Sequence, residues 1–130
     1  LKLALTLWRP IVKPDGHLCV AYPGVVNKGA PKEVRGPLEE RMAEPMGTLE
    51  DYEKLAIAAG YEITNQTTLH SDLWEMFYAD CVRRAWALCT HDERYEDEPV
   101  VKQIMEEARW YRQTGRGRVF FQAFVLRRIQ

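Results

Sequence analysis

A tight turn between a helical pattern and an apolar strand, within residues 8–23, constrains the fold of this chain more than any other feature. The segment reads WRPIVKPDGHLCVAYP. Pro14 fixes the backbone φ of the first corner of the turn, and Asp15 and Gly16 tolerate its remaining conformations. The apolar run that follows predicts a short buried strand over 17–22, which ends where a Pro-Gly pair interrupts it. The carboxyl end of such a strand is where ligands bind in an open α/β sheet.

The first half of the chain continues with alternating helical and extended patterns. Residues 1–12 have apolar side chains at helical spacing, although Pro10 predicts a kink or an early end. A second helix is predicted to begin at Thr48, where Asp51 completes a capping box, and to stop at Gly60. The intervening segment 24–47 is rich in proline, glycine and charge. It predicts a long loop with a short helix at 38–43.

The second half predicts helices between two further strands. After a strand at 61–68, Ser71 or Asp72 caps a helix with a long apolar stripe. An acidic link over 90–98 precedes another helix that starts at Pro99 and ends at Gly115 and Gly117. The final strand, 119–126, is apolar on both faces except for Gln122. A strand of that kind is typical of a central position in a sheet.

Three segments carry a resemblance to the class I S-adenosylmethionine-dependent methyltransferases. In that family a helix ending in L-K-P-G-G-x-L leads into the fifth strand, and this chain has IVKPDGHLCVAYP, with Asp15 in place of the first glycine. Residues 48–63, TLEDYEKLAIAAGYEI, resemble the next helix and the sixth strand. Residues 117–128, GRVFFQAFVLRR, resemble the closing seventh strand. The resemblance spans nearly all 130 residues and corresponds to the C-terminal half of the family's domain.

The resemblance implies a partial Rossmann-like α/β fold for residues 1–130. We expect a three-stranded mixed sheet with flanking helices, in which the last strand runs antiparallel between the other two. Within this half-domain, 24–47 is the predicted loop and 70–115 is a helical insertion between the last two strands. The chain begins with Leu1 rather than Met, which predicts a fragment, a processed product or an engineered chain.

The same resemblance implies methyl transfer from S-adenosylmethionine to a small molecule, with this chain supplying the substrate side. The family binds the cofactor on a glycine-rich loop after the first strand and an acidic residue after the second. This chain has neither, and its Gly115-Arg116-Gly117 cluster lies between a helix and a strand, the wrong order for such a loop. The cofactor site is therefore expected mostly outside the chain, and the chain alone is expected to be inactive.

Aromatic side chains at strand and helix ends are the candidate substrate wall, because they combine apolar surface with a polar group. His70, beside a helix start, is the candidate general base, with a helix cap or a surface residue as the alternatives. Trp74 and Tyr78 lie on the apolar stripe of their helix, so core packing is the alternative for them. The predicted substrate-binding residues are Tyr22, Pro23, Gly24, Trp74, Tyr78, Trp110 and Tyr111.

Metal and nucleic-acid sites are not expected. No C-x2-C or H-x3-H pair occurs, and Cys81 and Cys89 lie about 12 Å apart along one predicted helix. Arginines and aromatic residues are interleaved in the last third, a mixture that suits RNA, but acidic residues at 93–98 offset them. The net charge of −1 gives no general attraction to nucleic acid or anionic membranes.

Location and partners follow from the cysteines and from the first strand. Three cysteines, an odd number in predicted helix and strand interiors, indicate reduced, buried thiols, and no apolar run is long enough to span a bilayer. We therefore expect a soluble, cytoplasmic protein. The strand at 17–22 has one edge that this chain does not pair, and such an edge is a template for another strand. The expected occupant is the N-terminal half of the domain or a second copy. The alternative function is accordingly a non-catalytic α/β interaction module.

Overall fold

The computed structural model describes residues 1–129. By contacts the chain divides into two compact units, a sheet unit formed by Leu1–Leu69 with the segment from Arg118, and a helical unit formed by His70–Gly117. The elements in chain order are α1 (Lys2–Trp8), β1 (His17–Val25), α2 (Lys32–Met42), α3 (Leu49–Ala58), β2 (Tyr61–Leu69), α4 (Ser71–His91), α5 (Pro99–Trp110) and β3 (Val119–Arg128). Among these residues no helix combines the length and the apolar character that crossing a membrane requires.

The sheet has the predicted topology. Its strand order is β1-β3-β2, and β3 runs antiparallel to both neighbours, so that β1 and β2 point in the same direction. Gln122 of β3 lies opposite Tyr22 on one side and opposite Thr68 on the other. The three-stranded sheet with the last strand in the middle is therefore confirmed, and the carboxyl ends of β1 and β2 lie at the same edge.

The strand β1 is longer than predicted, because it continues through Pro23 and Gly24 to Val25. The backbone N–H of Val25 donates to the Gly47 carbonyl at 3.0 Å, away from β3. Backbone groups two residues apart on a strand point to the same side, so the N–H that Pro23 lacks would also have pointed away from β3. The proline therefore removes no hydrogen bond from the sheet, as is usual for prolines in edge strands.

The segment 24–47 is more helical than predicted. The helix α2 covers Lys32–Met42 and thus extends the helix expected at 38–43 by two turns at its start. Its buried residues, Val34 and Leu38, are four positions apart and lie on one helix face. Ala43 ends the helix in a left-handed conformation with φ of 54°. An interior proline in the sequence concealed this helix, since proline normally interrupts one.

The helix α3 begins as predicted. The Thr48 backbone N–H donates to Asp51 Oδ2 at 3.0 Å, and the Asp51 N–H donates to Thr48 Oγ1 at 3.3 Å. These two bonds complete the capping box. The bond from the Thr48 backbone N–H is also the main reason that the pKa of the Asp51 carboxyl is lowered. Beyond the helix, Gly60 has φ of 82°, a left-handed conformation that glycine adopts without strain. The α1 helix ends at Trp8, before Pro10, also as predicted.

The helical unit departs from the prediction at both ends of α4. His70, rather than Ser71 or Asp72, is the N-cap, and its Nδ1 accepts a hydrogen bond from the Asp72 N–H at 3.3 Å. The helix continues to His91, into the predicted link, which then contains a 3-10 turn at Glu93–Asp97. After α5 the chain forms one π-helical turn at Tyr111–Gly115 before the strand.

Candidate functional site

An open cleft of about 510 Å³ lies where the carboxyl ends of β1 and β2 meet the start of β3. The N-terminal turns of α3 form one wall. The chain that leaves β1 forms another, and side chains of β2 and β3 form the floor. Its lining residues are Val26, Lys28, Thr48, Leu49, Glu50, Asp51, Lys54, Thr68, Phe120 and Gln122. A crevice outside the carboxyl ends of strands is the usual position of a ligand site in an α/β sheet.

The floor of the cleft contains a buried amide. Tyr22, Gln122 and Thr68 are paired across the three strands, so their side chains share one face of the sheet. Gln122 is only 2% exposed, and the Thr68 hydroxyl donates to its Oε1 at 2.5 Å. This bond uses the acceptor end of the amide and leaves the two N–H donors of Nε2. Sequence reasoning had noted Gln122 as the polar exception in its strand but had given it no functional role.

The charged groups at the rim of the cleft are balanced. Lys28 Nζ lies 3.5 Å from Asp51 Oδ1, and Lys54 Nζ lies 2.5 Å from Glu50 Oε1. Both lysine side chains are largely exposed, so these pairs contribute little to stability. The two ammonium groups and the two carboxylates leave the rim with no net charge.

The predicted site residues of β1 are packed into the interior of the sheet unit. The buried Tyr22 donates its hydroxyl to Glu44 Oε1, and its ring lies 5.4 Å from that of Tyr52 in an edge-to-face arrangement. A Cβ atom on Gly24 would lie 2.4 Å from Phe120 Cζ and 2.8 Å from the Gly47 carbonyl oxygen, so there is no space for a side chain. Substrate binding by Tyr22, Pro23 and Gly24 stays a prediction.

Tyr52 of α3 holds the end of β1 in place, a role that sequence reasoning missed. Its hydroxyl donates to the Pro23 carbonyl at 2.8 Å and accepts from the Gly47 N–H at 2.9 Å. The side chain is 3% exposed, and burial raises the pKa of Tyr52 to about 12. In the sequence, Tyr52 lies at helical spacing with Leu55, Ala56 and Ala59, which predicts an apolar face of α3. That spacing does not indicate that the hydroxyl at the end of the ring joins the end of β1 to the segment before α3.

We expect alkaline pH to destabilise the chain through Tyr52. An unfolded tyrosine ionises near pH 10, whereas the folded chain holds this proton up to about pH 12. The free energy of unfolding should therefore fall as pH rises through that interval, because the unfolded state loses the proton first. Urea titrations at a series of pH values should show a shallower fall for Tyr52→Phe than for the wild type. Equal slopes would contradict the assignment.

The predicted aromatic residues of the helical unit form a stacked group. The ring of Trp74 lies 5.7 Å from that of Tyr78 and 5.5 Å from that of Tyr111, both nearly parallel. The Tyr78 hydroxyl donates to Glu107 Oε1 at 2.7 Å. Tyr78 and Tyr111 are buried, which raises the pKa of Tyr111, whereas Trp74 is half-buried. The structure thus brings Trp74, Tyr78 and Tyr111 together, and the same stacking forms part of the core of the helical unit.

The remaining candidates are Trp110 and His70. Trp110 is half-buried, and its ring lies 3.2 Å from the position that a Cβ atom on Gly115 would take. The His70 side chain is 75% exposed, and its Nδ1 also lies 3.2 Å from Asp72 Oδ2. Catalysis by His70 stays a prediction. Within residues 1–129 no cluster of three potential metal ligands occurs. The three cysteines are free thiols, but Cys19 is exposed and Cys81 and Cys89 are half-buried, so the predicted burial was wrong.

Comparison with known proteins identifies the fold. No protein-family model and no curated protein sequence matches the chain. Among solved structures, a SAM-dependent methyltransferase from Geobacter sulfurreducens in complex with S-adenosyl-L-homocysteine is similar, with a TM-score of 0.71 and 16% identity over 97% of this chain and 51% of that one. The [4+2]-cyclase SpnF has a TM-score of 0.69 and 18% identity, over 98% of this chain and 44% of that one.

A third similar structure is the cyclopropane synthase MmaA2 from Mycobacterium tuberculosis, with a TM-score of 0.64 and 15% identity over 98% of this chain and 49% of that one. At these identities the similarity concerns the fold. The chain therefore has the fold of part of a Rossmann-like class I methyltransferase domain, and it spans about half the length of these proteins.

Proposed function

We propose that this chain is the substrate-side half of an S-adenosylmethionine-dependent methyltransferase that acts on a small molecule. The observation that carries the proposal is the fold shared over 97% of the chain with a methyltransferase crystallised with S-adenosyl-L-homocysteine. The cleft at the carboxyl edge of the sheet supports it, since that is where a substrate would be held. The three free thiols support a cytoplasmic location, where cysteines stay reduced.

In such an enzyme the cofactor supplies an electrophilic methyl group, and the residues of this chain orient the acceptor. Positioning alone supplies a large part of the rate enhancement in a transfer between two bound reactants. The floor of the cleft offers hydrogen-bonding groups on rigid strands, and Tyr52 holds the adjoining end of β1. The proposed contribution of the chain is therefore to fix the acceptor and to exclude water from it.

Under this proposal some of the predicted site residues contact the substrate, and others hold those residues in place. Trp74 and Trp110 are half-buried, and substrate contact by these two residues is proposed for the helical unit by itself. Tyr78 and Tyr111 are buried and stack on Trp74, so they support its position. His70 is exposed to solvent and is kept as the proposed general base. Tyr22, Pro23 and Gly24 are proposed to shape the sheet edge beside the cleft.

The proposed partner is the N-terminal half of the same domain. Within the described residues β1 pairs on one side only, with β3. Leu3 and Leu7, four residues apart on α1, are 69% and 59% exposed, and Ile11 beyond them is 76% exposed. A free strand edge together with an exposed apolar helix face suits another part of the same fold, and the similar proteins are about twice as long.

The test starts from the protein as its native source produces it. We expect an intact mass above 15.2 kDa by roughly 10 kDa or more, the size of a nucleotide-binding half-domain. That protein should bind S-adenosyl-L-homocysteine in a calorimetric titration, whereas the 130-residue chain alone should not. A native mass of 15.2 kDa without binding would contradict the proposal and favour the interaction module, with a second copy as the first partner to test.

A further inference from the structure

We propose that Gln122 and Thr68 form a recognition pair that binds the polar end of an uncharged small molecule in the cleft. The ligand would present a hydrogen-bond acceptor, such as a carbonyl oxygen, attached to a flat apolar group. The existence of this ligand site is inferred from the cleft alone. The identification of the ligand as the methyl acceptor rests on the proposed function.

Gln122 is a buried amide on the central strand of the sheet. It is the only buried polar side chain in the core of the described residues, apart from the tyrosines. Burying an amide is unfavourable unless both of its ends form hydrogen bonds. Within residues 1–129 its side chain forms one hydrogen bond, with Thr68, and that bond occupies Oε1. The Nε2 donors are therefore available to a group that enters the cleft.

Thr68 orients the Gln122 amide. Thr68 lies opposite Gln122 on the neighbouring strand, and its hydroxyl bond at 2.5 Å holds the Oε1 end toward β2. A donor fixed on rigid strands recognises an acceptor without losing much side-chain freedom on binding. The pair is thus preorganised to donate from Nε2 rather than to accept.

The other lining residues define the rest of the ligand. Phe120, Leu49 and Val26 provide apolar surface beside the amide, which suits a flat apolar body. Each rim lysine already lies beside a carboxylate, so the rim has no net charge with which to attract an ion. An anion or a cation would have to separate one of these pairs. The cleft therefore favours an uncharged ligand over a charged one of the same shape.

The test uses three probes of similar shape on the native protein that contains this chain. Acetophenone presents a neutral carbonyl acceptor, benzoate an anion and benzylamine a cation. With glutamine side chains labelled with nitrogen-15, the Gln122 signal is assigned by its loss in Gln122→Leu. Acetophenone should shift this signal saturably, with a Kd on the order of 1 mM for so small a ligand. The charged probes should bind about fivefold more weakly or worse.

Substitutions test whether Gln122 and Thr68 bind the ligand or only stabilise the fold. Gln122→Leu should weaken acetophenone binding about fivefold, the effect of one lost neutral hydrogen bond. Leucine fits an apolar strand, and the exposed Thr68 hydroxyl can then bond to water, so this variant should fold. Thr68→Val, at the exposed partner, should also weaken binding. The matched control is Gln66→Leu, an exposed glutamine of β2 that bonds Glu53 and does not line the cleft. It should leave binding unchanged.

Three results would overturn the proposal. They are an unshifted Gln122 signal at saturating acetophenone, equal affinity in the wild type and Gln122→Leu, and tighter binding of either charged probe. Titration of the same sample with S-adenosyl-L-homocysteine tests the proposed function separately. Acetophenone recognition without S-adenosyl-L-homocysteine binding supports the ligand site and contradicts the methyltransferase. The reverse pattern overturns the ligand site alone.

Discussion

Replacing Tyr78 with alanine is expected to lower the free energy of unfolding by about 3–5 kcal/mol, the usual effect of removing a large aromatic side chain from a core. Tyr78 is 2% exposed, and its ring lies 5.1 Å from that of Tyr111 as well as beside Trp74. Its loss removes stacking contacts from both neighbours and leaves a cavity between α4 and α5. No other substitution in the predicted substrate wall should have a larger effect.

The Tyr78 prediction is checked by urea denaturation followed by tryptophan fluorescence, because Trp74, Trp86 and Trp110 all lie in the helical unit. Tyr78→Phe keeps the ring and removes the bond to Glu107, so it should lower stability by about 1–2 kcal/mol. The control is Tyr95→Ala, at a side chain that is 38% exposed. Wild-type stability in Tyr78→Ala would show that the ring serves a ligand wall rather than the core.

The second large effect is expected at Tyr52. Alanine there should lower the free energy of unfolding by about 3–5 kcal/mol. Phenylalanine should lower it by about 1–3 kcal/mol, because the Pro23 carbonyl and the Gly47 N–H would lose the hydroxyl that joins them. The ring of Tyr52 also contacts those of Tyr22 and Phe120, at centroid distances of 5.4 and 6.4 Å. The alanine variant therefore loses both the packing and the polar connection.

Amide hydrogen exchange distinguishes this local role from a general loss of stability. The Val25 N–H donates to Gly47, so its exchange should accelerate in Tyr52→Phe more than that of amides in the middle of β3. Ile57→Ala, on the same helix at a side chain 63% exposed, is the control and should change stability by less than about 0.5 kcal/mol. Unchanged Val25 exchange in Tyr52→Phe would show that the hydroxyl does not hold the strand end.

Local chemistry explains what could be predicted within each element. Three of these features depend on a few consecutive residues: the turn at Pro14, where the Gly16 N–H donates to the Lys13 carbonyl at 2.8 Å, the capping box of Thr48 and the left-handed Gly60. Their outcomes follow from backbone sterics and short-range hydrogen bonds. The errors at α2 and at the N-cap of α4, which is His70 rather than Ser71 or Asp72, are also local. In both, a residue with a common role, an interior proline and a histidine beside a helix, adopts a less common one.

The sequence by itself determined the elements, the central position of β3 and, through the resemblance, the order of the three strands. Only the tertiary structure decided which polar groups meet. Thr68 and Gln122 are 54 residues apart, and the Tyr52 hydroxyl reaches a carbonyl 29 residues away. Such contacts depend on strand register and on the packing of α3 over the sheet, and neither leaves a periodic signal in the sequence. For that reason the floor of the cleft appeared in the sequence as a single polar exception in an apolar strand.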